Sequence, residues 1–566
     1  MPALLARMTG YDPGAPVAED PGQSRVLGSP LTGTAASAGR AIAANGGGYG
    51  LAVAGGLGVC AVAGLNPMFD LVVVGACGYH VTQRVFDNLT WLSSGGWLAQ
   101  RRRRQYQGEA NPWEVAQTLS PAFAAKKMKR LAPGLPAVLS YLPLGTTVHR
   151  PRQQVAVSRA ESVAVFGVPQ SLKTALISGW ILEAPGIVLA TSSRADQYRH
   201  TVTEREKLGP VLVLDVDGFG PGTNFTWSPV EGCADPAVAM RRSGALMDAS
   251  PKDPGGKDKW HEARGADLLR LALHAADLAG EDMYAVRAWC RRPEEPEFLK
   301  ALQLPGAAMD WDSELMDLCE QEGDFLSSAT SSAEAALRWM SDTSLATVAC
   351  PPAGRGLDIG QFLASGRGTV YLIGSEKPYG SLTPYFSTFV NEFLEEARVL
   401  AERQGGRLRI PLTMAVDETA TTARIDLKRW LAVTAGYNIT MITGFQAVQQ
   451  IEEGWGGPAA AETILEMLST KVIAGGFTSV ATLERLSTIC GYRETWHREG
   501  RARVRERELV FPPERLRQLP QFNALVLQRN CKPVQVRILP VWEHPAHQEV
   551  HITDAPGQEA LAETEE

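Results

Sequence analysis

At 566 residues the chain is too long for one simple core, so at least two packed units with tails are expected. Its 55 Lys and Arg against 62 Asp and Glu leave a net charge of -7, which excludes general electrostatic attraction to nucleic acid; any DNA contact has to be local. Eight cysteines with no CxxC pair and no His/Cys cluster at zinc-ligand spacing exclude a zinc module and read as reduced cytosolic thiols or core filler.

Residues 1–45, rich in Gly, Ala, Pro and Ser and lacking a basic start followed by an apolar core, read as a disordered leader and not a cleaved signal. Gly46 to Phe69 contains no charged side chain, and after Asp70 the apolar run resumes as Leu71 to Val81. A spanning helix needs about 20 apolar residues. Residues 46–83 therefore read as one transmembrane helix or as a hairpin turning at Asn66-Pro67; a buried helical hairpin of a soluble domain is the alternative, because the glycines weaken a helix. The Arg101 to Arg104 run holds that end in the cytoplasm, and 84–150 is expected to be a basic juxtamembrane linker.

From about residue 160, short Val/Ile/Leu-rich runs alternate with helix-like stretches: Ser162 to Phe166, Gly186 to Thr191, Pro210 to Asp215, Thr369 to Ile373, Leu412 to Val416 and Ile439 to Thr443. Runs of this kind suit buried parallel strands. The interval 235–345 has helical periodicity and predicts an all-α domain inserted into an α/β core formed by 151–234 and 346–542. His497 to Glu508, dense in arginine and glutamate, reads as a solvated helix of mixed charge, with Arg498, Arg501, Arg503, Arg505 and Arg507 available to DNA as the bolder reading. An acidic, disordered tail, 543–566, closes the chain.

Three strand ends carry chemistry. Ser162 to Phe166 runs into Gly167-Val-Pro-Gln-Ser-Leu-Lys-Thr174 and then an apolar helix-like stretch, the strand–loop–helix setting of a phosphate loop. Gly167, Ser171, Lys173 and Thr174 would bind nucleotide, with Lys173 on the phosphates and the Thr174 hydroxyl on magnesium. Leu172 stands where the second glycine of GxxxxGK[ST] belongs, and a Cβ there is expected to strain the backbone or crowd the phosphates. Leu412 to Val416 ends in Asp417, placed for the magnesium shell, and Glu418, placed for an attacking water; Gln446 ends the next strand, where it could orient water or sense the γ-phosphate. Each signal alone is matched by a bland reading, a strand-end pair or polar cap. Together, in order and all at C-terminal strand edges, they are far more specific.

The stretches PGIVLATSSRADQY, GPVLVLDVDGFG, FTWSPVEGCADP, KWHEARGADLLRLALHAA, GRGTVYLIGSEKPYGSLTPYFSTFVNEFL, MAVDETATTARIDLKRWLAVTAGYNITMITGFQAVQQIEEGWG and STKVIAGGFTSVATLERLSTICG then appear in the order of a known family. From about 160 to 542 the sequence resembles the TraG/TraD-type coupling proteins of conjugative type IV secretion, especially the actinobacterial members. The resemblance implies an α/β RecA-like P-loop NTPase core with a mostly parallel sheet, an inserted all-α domain and an N-terminal membrane-helix segment. It implies an ATP- and Mg2+-dependent motor at the cell membrane, its main domain in the cytoplasm. Such a motor assembles as a homohexamer and passes single-stranded DNA and relaxase-like nucleoprotein to secretion channel components. Trp260 corresponds to the tryptophan that opens the helical domain. Ala435, in TAGYNI, replaces an arginine that relatives commonly carry and that could act as a trans-acting finger; Arg424 or Arg429 could substitute. Two alternatives stay open: a degenerate, weakly or non-hydrolysing docking platform, and a DNA-partition motor of the same superfamily.

Overall fold

A strand covered on both faces must be largely apolar, and alternate residues must then enter opposite cores. In the computed structural model, which describes residues 108–547 apart from 169–171, 219, 251–258, 321–324, 376–380 and 500–501, this is what the central runs do. Strands β1 (Tyr141–Thr147), β2 (Gln154–Ser158), β3 (Val163–Phe166), β4 (Val188–Ser192), β5 (Val211–Asp215), β6 (Thr369–Ile373), β7 (Leu412–Val416), β8 (Ile439–Phe445), β9 (Thr470–Ala474), β12 (Asn523–Gln528) and β13 (Val534–Arg537) form one sheet. Its order is β2-β1-β13-β12-β9-β3-β8-β7-β4-β6-β5. From β9 to β5 every neighbour is parallel; the β12, β13, β1 and β2 side is antiparallel.

Ala164, Phe166, Leu189, Met414, Val416, Met441 and Phe445 supply one core, while Val163, Val165, Val188, Ala190, Ala415 and Ile442 supply the other. Helix α1 (Lys173–Leu182) contributes Leu176, Ile177, Trp180 and Ile181 to the second core, and α2 (Asp196–Glu206) packs beside it. Between β5 and β6 the described elements are all helices, beginning with α3 (Pro236–Ala249) and α4 (Lys259–Ala279), in which Trp260 is the second residue. These helices join the first core, as does α5 (Thr383–Arg403) with its buried Tyr385, Phe386, Phe389 and Phe393. Arg241 and Arg242 of α3 both donate to the Glu392 carboxylate of α5, at 2.9–3.0 Å. Burial pushes that carboxyl up, but the two guanidinium groups outweigh it and hold it below its ordinary value.

Two expectations are corrected. The part of 84–150 that is described is not a linker: helices Pro112–Thr118 and Pro121–Leu131 and strand β1 are packed there, because Val115, Leu119, Leu142 and Leu144 face the second core and Met128 is buried in a small cluster with Leu135 and Leu139. His497 to Glu508 is not a helix. Strands β10 (Tyr492–Glu499) and β11 (Ala502–Leu509) form a two-stranded antiparallel ribbon outside the main sheet. The leader, residues 46–83, Arg101 to Arg104 and the tail beyond 547 lie outside the described residues. Among the described residues no helix is long and apolar enough to cross a membrane.

Candidate functional site

Parallel strands deliver their C-terminal ends to one edge of the sheet, and β3, β8 and β7 are successive neighbours. The loop after β3 therefore faces the acids after β7, with the end of β8 between them. Gly167 continues the ladder by donating its N–H to Phe445 O (3.0 Å), so that N–H is engaged at the start of the loop. Ser171 lies outside the described residues. Leu172 precedes α1 with φ -66° and ψ 0°, an ordinary right-handed conformation that any L residue adopts, and its side chain is buried in the second core with Leu176 and Ile177. The expected backbone strain at this position is absent, because the turn does not use a positive φ here.

Lys173 and Thr174 open α1 and meet the end of β7. The Thr174 hydroxyl donates to Asp417 Oδ2 (3.1 Å). Lys173 Nζ lies 3.7 Å from Asp417 Oδ1 and 4.0 Å from Glu418 Oε1, with the lysine side chain only 6% exposed. Among the described residues that ammonium makes no side-chain hydrogen bond, so its three donors are held in a buried position beside two carboxylates. Burial pushes the Asp417 carboxyl above its ordinary value; Lys173 and the Thr174 hydroxyl pull it back, while the Glu418 charge adds to the rise.

Glu418 has φ +51°, a left-handed conformation that costs a non-glycine residue roughly 1 kcal/mol or more. The turn is held by Thr421 and Thr422 N–H groups donating to Glu418 O, at 2.9 and 3.0 Å. Gln446 Nε2 donates to Glu418 Oε1 (3.0 Å), joining the end of β8 to that of β7. Lys173, Thr174, Asp417, Glu418 and Gln446 thus form one connected cluster.

Two neighbours of this cluster were not singled out by their sequence. Gln197, in α2, is 1% exposed; its Nε2 reaches Asp417 Oδ2 at 3.5 Å and its Oε1 has no partner among the described residues. It lies inside the quoted SSRADQY string, but only the packing of α2 beside α1 shows its reach. Gly444 in β8 is required by space: a Cβ there would stand 2.6 Å from Asp417 Oδ1 and 3.2 Å from Glu418 N. A glycine inside a buried strand was its signal.

Both candidate substitute arginines are engaged within the chain. Arg424 donates to Ala249 O and Ser250 O at the end of α3 (2.7 and 2.8 Å), and Arg429 pairs with Glu395 (2.7 Å) while lying over Trp430. Ala435 is exposed near the end of helix α6 (Leu427–Tyr437).

The donor set fits a magnesium nucleotide: a buried lysine beside two carboxylates, a threonine hydroxyl beside a buried aspartate, and next to them a glutamine oxygen that has no partner among the described residues. Residues 411–521, which carry Asp417, Glu418 and Gln446, match the family described as the TraM recognition site of TraD and TraG. The resemblance to TraG/TraD-type coupling proteins is borne out. Among solved structures, the unbound bacterial conjugative coupling protein TrwB lacking its first 70 residues matches with a TM-score of 0.53 at 18% identity, over 69% of this chain and 88% of that one. TrwB in complex with ADP and Mg2+ matches with a TM-score of 0.53 at 18% identity, over 70% and 87%. Its complex with the non-hydrolysable GTP analogue matches at 0.51 and 18%, over 70% and 88%. At this identity the likeness to TrwB is one of fold. No match among the curated proteins accompanies these.

Proposed function

We propose that this chain is a membrane-anchored coupling ATPase that recruits DNA or nucleoprotein and drives it into a type IV secretion or conjugation channel. The observation that carries the reading is the convergence of Lys173 and Thr174 with Asp417, Glu418 and Gln446 across three successive parallel strand ends.

In this reading Lys173 places its ammonium on the β- and γ-phosphates, leaving the long contacts to the two carboxylates for shorter ones to phosphate oxygens. Thr174 and Asp417 would hold Mg2+, with Gln197 oriented against the same carboxylate. When bound, the metal neutralises phosphate charge and orients the terminal phosphate for in-line attack. Glu418, a quarter exposed on its side chain, accepts the proton of the attacking water, and Gln446 holds the carboxylate in place through Oε1. The RecA-like core, the inserted helical domain at 235–345, the homohexamer, the membrane segment at 46–83, and the single-stranded DNA, relaxase-like and channel partners belong to this same reading. Residues 411–521 would receive the relaxosome partner, as the family description suggests.

A non-hydrolysing docking platform is the second reading; exposed Ala435 in place of a finger arginine is the observation that favours it. Magnesium-dependent ATP binding and turnover of the full chain in detergent, with and without single-stranded DNA, separates the two. Turnover that rises with DNA and disappears in Lys173→Ala supports the motor. Binding without turnover at any DNA concentration supports the platform.

A further inference from the structure

The arginine-rich segment reads as mixed charge along the sequence, but β10 and β11 are paired residue for residue, and pairing sorts it. In an antiparallel pair, residues directly opposite share a face and alternate residues change face. Tyr492 pairs with Leu509, Glu494 with Arg507, Trp496 with Arg505 and Arg498 with Arg503, so these lie on one face. Arg493 with Glu508, Thr495 with Glu506, His497 with Val504 and Glu499 with Ala502 lie on the other. One face thus carries four arginines against one glutamate, with a tyrosine and a tryptophan among them; the other carries one arginine against three glutamates. The Arg505 side chain is 56% exposed beside Glu494, and the Arg507 guanidinium lies over the Tyr492 ring, 4.3 Å from its centre, with Tyr492 itself 47% exposed.

We propose that the basic, aromatic face of this ribbon grips the sugar–phosphate backbone of a nucleic-acid strand. The inference rests on the proposed function only for the choice of nucleic acid as cargo; the ribbon lies outside the nucleotide cluster. Arg503, Arg505 and Arg507 recur every second residue, about 6.8 Å apart along a strand, a spacing commensurate with two nucleotide steps of about 3.4 Å. Aromatic side chains interleaved with arginine are the surface on which exposed bases stack. The acidic reverse face limits contact with a polyanion to one side. This places a local basic strip on a chain whose total charge is negative.

The test measures binding of the full chain in detergent to a fluorescent single strand and to the matching duplex from about 50 to 200 mM salt. The variant Arg503→Ala/Arg505→Ala/Arg507→Ala is compared with the reverse-face variant Glu499→Gln/Glu506→Gln/Glu508→Gln. The proposal expects the arginine variant to bind at least ~10-fold more weakly and to lower the log–log salt slope by about 2 on a single strand or nearly ~3 on a duplex, as the loss of three phosphate contacts requires. The reverse-face variant should bind as tightly as the parent or tighter. Arg→Lys at the same three positions should retain most of the affinity, which separates lost charge from lost folding; melting temperatures check the latter. A larger loss on the single strand identifies a stacked, unpaired substrate, and a larger loss on the duplex a groove-bound one; either supports the proposal. Unchanged nucleic-acid binding in the arginine variant overturns it while leaving the proposed function standing. So does an equal loss in both variants, which would mark a structural ribbon. A parent chain that binds no nucleic acid at low salt overturns the proposed DNA cargo as well.

Discussion

The nucleotide cluster and the ribbon handle charge in opposite ways. At the cluster, Lys173 and Asp417 are buried to within 6% of full coverage and lean on each other across two strands and a helix, so each group depends on its neighbours for a tolerable electrostatic environment. On the ribbon, Arg505 and Glu494 are more than half exposed and pair across two adjacent strands in water, where an ion pair is worth about 0–1 kcal/mol. The difference teaches where a substitution will be felt: at the cluster in chemistry and folding together, on the ribbon in binding alone.

The largest expected effect is on turnover. Glu418→Gln should lower the ATP turnover rate by ~10² to 10⁴-fold through loss of the proton acceptor while nucleotide binding persists, and Lys173→Ala should remove both. A steady-state assay paired with nucleotide binding separates these, and activity surviving Glu418→Gln would break the assignment of base. Next comes Leu172→Gly. Although it restores the usual loop pattern, it deletes a side chain that is 8% exposed in the second core, and should destabilise the chain by about 2–5 kcal/mol in denaturant unfolding. A neutral result would mean that Leu172 does not pack as described.

Gly444→Ala should weaken magnesium-dependent nucleotide binding by roughly 10-fold, since its Cβ meets Asp417 Oδ1 and must displace the carboxylate. Titration with MgATP reads the shift. The pH response gives a further contrast. Because the Asp417 carboxyl is raised, it takes up a proton as pH falls through its folded-state value, which is above its unfolded one. Over that window magnesium binding should weaken while the contribution of Asp417 to apo stability improves, and Asp417→Asn should flatten both trends in calorimetry and thermal melts. The smallest effect is expected on the ribbon: Arg505→Ala should change unfolding free energy by no more than about 0.5 kcal/mol. A loss comparable to that of Leu172→Gly would erase the distinction between the two regions.

Much of the central sheet was legible in the sequence, because strands covered on both faces leave short, largely apolar runs. Ser162 to Phe166 and Leu412 to Val416 are found within a residue of where those runs place them. Lys173, Thr174, Asp417, Glu418 and Gln446 were legible for a related reason: parallel strands bring their C-terminal ends to one edge, so position along the chain predicts position in space. Gln197 was not, since nothing in a helix sequence says which of its residues faces a strand end on the other side of the packing. The conformation of Leu172 was not, because a missing glycine implies strain only if the backbone needs a positive φ.

The sequence by itself determined the alternation of strand and helix, the order of the chemical residues and the charge each carries. These follow from hydrophobic periodicity and side-chain chemistry, which are local. Only the tertiary structure decided which charges share a surface. Antiparallel pairing converted an Arg/Glu-rich string into a ribbon with one basic and one acidic face, and the neighbouring of β3, β8 and β7 brought Lys173 to within reach of carboxylates more than two hundred residues away. Both outcomes depend on strand register and neighbour choice, which are settled by the whole core and not by any segment within it.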